Sequence, residues 1–184
     1  MDRGPAKVMP KQLRGSAGKT ESGFTILGID PGFATTGVGV LKISHGNPAE
    51  AAYDCITTKA GKEFTSRLVE LHSAIRSMIK SFKPDIMAIE RLFFARNAKT
   101  AMSVGQAIGV IKLAAAQAGI PVIEYTPMEV KQAVTGTGAA GKLDVARMVA
   151  RLLGLEKTPK PDDAADALAI AYCHYITTRR ERKC

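Results

Sequence analysis

Two short apolar runs in this chain each end in an acid, and a third begins with a pair of them. Phe24–Asp30 reads FTILGID, Asp85–Glu90 reads DIMAIE, and Asp163 and Asp166 open the segment DDAADALAIAYCHY. Runs of this kind become buried strands and a buried helix, so their acidic ends must rest at the margin of a core. An unpaired carboxylate there costs several kcal/mol or stays protonated. No neighbouring segment supplies four matching Arg or Lys partners. Divalent cations answer the problem, because hard oxygen ligands suit Mg²⁺ and Mn²⁺. Two such ions held side by side support in-line phosphoryl displacement. The pattern points to a nuclease.

Composition narrows the setting. A chain of 184 residues, 46% of them apolar, can bury one well-formed core but not two. No apolar run approaches the roughly 20 residues needed to cross a bilayer, and Met1–Ser22 has no hydrophobic stretch of the secretory type. Cys55, Cys173 and Cys184 are odd in number and widely spaced, which suggests neither disulfides nor zinc. A reducing cytoplasm is the expected location. The net charge of +9 is concentrated at the ends: Met1–Ser22 holds five bases against two acids, and Thr177–Cys184 four against one. Such basic tails can gather around a polyanion without reading its sequence, although solvated ends would look the same.

The expected organisation is a flexible basic extension over residues 1–22, one domain over 23–176, and a basic tail over 177–184. Within the domain, strands are predicted at 24–30, 36–43 and 51–58, with Gly46-Asn47-Pro48 as a loop. A helix over 63–82 follows from Phe64, Leu68, Leu71, Ile75 and Ile79, and Lys83-Pro84 stops it. Then come a strand at 85–90, a long helix at 98–118, a strand at 120–125, and helices at 128–134, 142–153 and 162–176. Three linked strands followed by alternating helices and strands describe a mixed α/β layer fold.

Each acid has an ordinary alternative. Asp30 precedes Pro31-Gly32 and could form a turn, Glu90 could be a wet strand end, and Asp162 or Asp163 could cap a helix. Capping does not explain Asp166, which lies past the first turn. Asp163 and Asp166 are three apart, so both should project from the face that continues through Ala167, Ile170 and His174 towards the sheet.

Four segments carry a resemblance in order and spacing: GIDPGFATTGVGVL, AIERLFFARNAKTAMSVGQAIGV, YTPMEVKQAVTGTGAAGK and PDDAADALAIAYCHY. From about Phe24 to Tyr175 the chain resembles the RuvC family of Holliday junction resolvases. That resemblance implies a ribonuclease H-like fold with a mixed five-stranded sheet flanked by helices. It also implies a homodimer, partnership with the RuvA and RuvB branch-migration proteins, and metal-dependent nicking of four-way DNA junctions to leave 5′ phosphates. By the match, Asp30, Glu90, Asp163 and Asp166 are the four catalytic metal ligands. In-line hydrolysis calls for two Mg²⁺ or Mn²⁺ ions per site, with Asp30, on the central strand, expected to bridge them. Some relatives place a His where this chain has Asp163. Phe93 matches an aromatic pushed into the junction centre, where stacking on a base is worth ~1–3 kcal/mol. Lys131 and Lys142 match basic residues of the DNA cleft, and Arg96 is a further candidate phosphate contact.

Other patterns lead elsewhere. Gly136 to Lys142 has the spacing of a phosphate-binding loop, but Leu143 replaces the metal-binding hydroxyl and a helix, not a strand, is expected before it. Gly105 and Gly109 mark close backbone approach, to the sheet or to another subunit. His45, His72 and His174 are scattered, and His174 lies too far along its helix to be a ligand. Two rivals stand beside the nuclease: a junction-binding relative without catalysis, and an actin-like sugar kinase or ATPase, which opens with a similar strand but requires two such domains.

Overall fold

The computed structural model describes residues 23–91 and 98–181. It contains five strands and five helices in the order β1 (Phe24–Asp30), β2 (Thr35–Ser44), β3 (Asn47–Thr57), α1 (Phe64–Phe82), β4 (Ile86–Glu90), α2 (Ala98–Gln117), β5 (Val122–Tyr125), α3 (Pro127–Thr135), α4 (Lys142–Leu152) and α5 (Asp162–Glu181). The strands form one sheet in the order β3-β2-β1-β4-β5. The first three are an antiparallel meander, while β4 and β5 run parallel to β1. This is the expected mixed five-stranded sheet.

Alternation along β1 sorts the helices into two layers. Leu27 and Ile29 point to one face, where α1 and α2 cover them with Leu71, Ile75, Met78, Ala107 and Ile111. Ile26, Gly28 and Asp30 point to the other, which α5 covers, with α3 and α4 packed in turn on α5. Lying between the sheet and those two helices, α5 is buried continuously from Ala167 to Tyr175.

Three glycines set how close α5 comes. A Cβ on Gly28 would stand 2.2 Å from the Ala167 carbonyl oxygen, and one on Gly39 would stand 2.6 Å from the Leu168 nitrogen. On Gly37 it would fall 1.9 Å from the Asp163 carbonyl oxygen. The helix backbone therefore rests on bare strand backbone. The small side chains of Ala164, Ala167 and Ala171 complete that contact.

Most boundaries fall within two residues of expectation, with informative exceptions. β3 starts at Asn47, not in the fifties, because His45 and Gly46 both adopt positive φ and make a tight two-residue hairpin. β5 is shorter than predicted and starts after Pro121. α5 continues to Glu181, so residues 177–181 of the expected tail are helical. The expected extension over 1–22 lies outside the described residues. Gly136 caps α3 in the left-handed conformation and Lys142 opens α4, so the loop between them follows a helix, as the rejection of a phosphate-binding loop requires.

Gly28→Ala should lower stability by about 1–3 kcal/mol, because the added methyl meets backbone that cannot yield cheaply. A denaturant melt checks this, and an unchanged midpoint would mean that α5 does not sit this close.

Candidate active site

Register alone brings the strand-end acids together. Asp30 pairs with Gly37, Gly37 pairs with Cys55, and Glu90 pairs with Tyr125. The parallel pairing Ile29–Ile89 places Asp30 beside Glu90 one residue further on. Paired residues share a face, so Cys55, Gly37, Asp30, Glu90 and Tyr125 make one row across the sheet on the α5 side. Glycine at position 37 leaves the gap that the start of α5 enters.

The two α5 acids divide around that row. Asp163 lies over β2, its backbone against Gly37, and its charge helps to raise the Cys55 thiol to about 12, after burial as the leading cause. Asp166, three residues on, turns to the cleft between the sheet, α3 and α4. The expectation that both acids continue a sheet-facing stripe through Ile170 and His174 needs correction: the close sheet contacts run through Ala167, Leu168 and Ala171. His174 instead meets the Tyr125 hydroxyl through Nδ1 at 2.8 Å, well away from the acids' end of the helix.

The cleft, about 280 Å³, is lined by Asp30, Glu90, Asp166, Lys131 and Lys142, with Pro127, Val130 and Val145 as apolar walls. Of the expected site residues, five of eight therefore line one depression, and Asp163, outside that lining, still acts on Asp30 through its charge. Phe93 and Arg96 lie outside the described residues. The Lys142 Nζ donates to Asp166 Oδ2 at 3.1 Å. That bond, with the Asp166 charge behind it, holds the Lys142 ammonium above its usual range.

The acids disturb one another. Burial, and then the charges of Glu90, Asp166 and Asp163, push Asp30 up to about 7, with only Lys142 opposing them. Glu90 is raised as well, by burial and then by Asp166, against the pull of Lys142 and Lys131. A pocket of carboxylates that resists full ionisation is short of positive charge. Its donors are all carboxylate oxygens, so the chemistry fits hard divalent ions, not soft ones. Among the described residues, no three acidic, His or Cys side chains close tightly enough to hold an ion as they stand. The acids are gathered but not clenched.

The loop after Asp30 is fixed from α1, a feature that sequence reading missed. Arg67 lies 3.7 Å over the Phe33 ring and donates to the Phe33 carbonyl at 3.2 Å and to Thr58 Oγ1 at 3.0 Å. Phe64 stacks on Phe33 at 4.6 Å, and the Thr58 hydroxyl donates to the same carbonyl. Thr36 Oγ1 closes the turn on the Gly32 carbonyl. In sequence Arg67 and Thr58 look like ordinary surface residues and Phe64 like one more apolar position of α1, and only their contacts with Phe33 give them this role.

A ribonuclease H-like sheet with acids at the ends of adjacent strands and on the covering helix is the framework of a carboxylate nuclease. The model of the crossover junction endodeoxyribonuclease RuvC matches residues 26–174. The chain is 56% identical over 149 residues to the crossover junction endodeoxyribonuclease RuvC of Moorella thermoacetica, covering 81% of this chain and 89% of that one. The Thermus thermophilus RuvC structure superposes with a TM-score of 0.79 at 37% identity, covering 86% of this chain and 97% of that chain. The T. thermophilus RuvC in complex with a Holliday junction substrate gives 0.81 at 36% identity, covering 86% and 96%. The chain belongs to the RuvC family of crossover junction endodeoxyribonucleases. Nucleases of this family use divalent metal ions.

The raised Asp30 carboxyl makes a signed prediction for the metal-free protein. Its folded value lies above its ordinary one, so the folded state binds the extra proton between about pH 4 and pH 7. Ionising it lowers stability as pH rises through that window. Asp30→Asn should therefore melt several degrees above the wild type at pH 8, with the gap closed by pH 4, since each kcal/mol shifts the midpoint by ≈ 2–4 °C in a domain of this size. Equal melting temperatures at both pH values would remove the electrostatic argument.

Proposed function

We propose that this chain resolves four-way DNA junctions as a homodimer, nicking two strands of like polarity to leave 5′ phosphates and 3′ hydroxyls. The single observation that carries the reading is the cleft in which Asp30, Glu90 and Asp166 face Lys131 and Lys142. Family membership and the likeness to a relative solved with a Holliday junction substrate support it.

Asp30, Glu90, Asp163 and Asp166 would hold two Mg²⁺ or Mn²⁺ ions, which when bound would activate water and offset charge on the leaving oxygen. Asp30, central in the row, would be the ligand that both ions share, with Glu90 and Asp166 to one side and Asp163 to the other. The glycine-seated α5 and the Arg67 clamp keep these acids in register, which is the positioning that phosphoryl transfer needs. Lys131 and Lys142 would meet the phosphate from the α3 and α4 side. Phe93 would stack on a base at the junction centre, and Arg96 would contact a phosphate.

A two-fold dimer would offer two identical sites to a pseudo-symmetric junction. On the outer side of α2, Met102 is 73% and Leu113 52% exposed, and Gly109 between them faces open space. Such an apolar strip suits a second copy of the chain better than water. RuvA and RuvB would be its partners in the cytoplasm. Among the described residues no helix is long and apolar enough to cross a membrane.

Asp30→Asn should bind a labelled four-way junction as tightly as the wild type, or more tightly, and cut it at least 10²-fold more slowly with Mg²⁺ or Mn²⁺. Substantial residual cutting would defeat the assignment. Junction affinity should also fall steeply between 50 and 200 mM salt, as expected when phosphates dominate binding. A flat salt dependence would contradict the basic lining of the cleft.

A further inference from the structure

We infer that Lys142 is an exchangeable internal cation: it neutralises Asp166 while the site lacks metal, and a divalent ion entering the site displaces it towards the DNA phosphate. The inference rests on the carboxylate site proposed above and goes beyond it, because it assigns Lys142 two successive partners.

Geometry carries the argument. Lys142 is the first residue of α4, so its backbone is fixed while its long side chain reaches across the cleft. Its ammonium sits on Asp166 Oδ2, the oxygen of a cleft acid. One oxygen pointed at an ammonium cannot at the same time be fully turned to a metal ion. Lys142 also draws on Asp30 and Glu90, so it partly offsets the repulsion of the whole cluster. Its side chain is 73% exposed against 23% for Asp166. The lysine can leave at little cost, since exposed pairs are weak. Lys131 lines the same cleft but, among the described residues, makes no ion pair with an acid of the site. Of the two lysines that line the cleft, Lys142 is the one that occupies a ligand oxygen.

The exchange has a consequence for binding. Metal and DNA would each favour the state in which Lys142 has left Asp166, so each would tighten the other by the same factor.

The test is a titration of the full chain with Mn²⁺, following free Mn²⁺ by electron paramagnetic resonance, first without DNA and then with a four-way junction. Without DNA, Lys142→Gln should bind Mn²⁺ about fivefold more tightly than the wild type, the size of an exposed ion pair removed. Lys131→Gln should change the affinity by no more than about twofold, as a screened neighbouring charge does. The junction should tighten Mn²⁺ binding to the wild type more than to Lys142→Gln. Equal affinities of Lys142→Gln and wild type, or equal effects of the two lysine variants, would overturn the inference while leaving the carboxylate site intact. A wild type that binds no Mn²⁺, or an Asp166→Asn that binds as well as the wild type, would overturn the site and the inference together.

Discussion

The contact between α5 and the bare backbone of β1 and β2 governs the rest of the molecule. Gly28, Gly37 and Gly39 let the helix descend until its carbonyls touch the strands. That descent buries the helix between sheet and outer helices, and it delivers Asp163 and Asp166 to the strand ends that carry Asp30 and Glu90. A side chain at any of the three glycines would lift the helix by more than the tolerance of a catalytic site, which is roughly half an ångström. Fold and site are therefore set by the same three residues.

The acids gathered this way oppose the fold that gathers them. Burial and mutual repulsion hold Asp30 and Glu90 above their ordinary values, and the nearby lysines offset only part of that. Such tension is expected where function requires charge in a confined place. The surrounding structure is correspondingly firm: the β1–β2 loop is clamped by Arg67 and Phe64, and Thr126 and Glu129 form a reciprocal cap at the start of α3, beside Lys131. Stiff neighbours and the lysines keep the acids close, and divalent cations entering the site would relieve the repulsion that remains.

Much of this was legible in the sequence, for identifiable reasons. Acids that interrupt buried runs are costly, so Asp30, Glu90 and Asp166 declared themselves by position. Gly and Pro fixed the element ends wherever the backbone needed them, as at Lys83-Pro84 and Gly136. The β2–β3 hairpin was misplaced because Gly46-Asn47-Pro48 looks like a loop of three, whereas the turn is His45-Gly46, both at positive φ, and Asn47 and Pro48 already belong to β3. Gly109 faces open space within the single chain, whereas the close approach to α5 belongs to glycines on strands, whose partner is distant in sequence. Spacing along α5 likewise could not show which side of the helix meets the sheet once every side is buried. The Arg67 clamp was invisible because it joins α1 to the loops that follow β1 and β3.

Diffraction at the manganese edge from crystals soaked in Mn²⁺ tests the central claim most directly. The account predicts anomalous peaks bonded to Asp30, Glu90 and Asp166, with Asp163 at the border of the site and Lys142 withdrawn from Asp166. Peaks elsewhere, or an empty cleft at saturating Mn²⁺ with Lys142 still on Asp166, would contradict it.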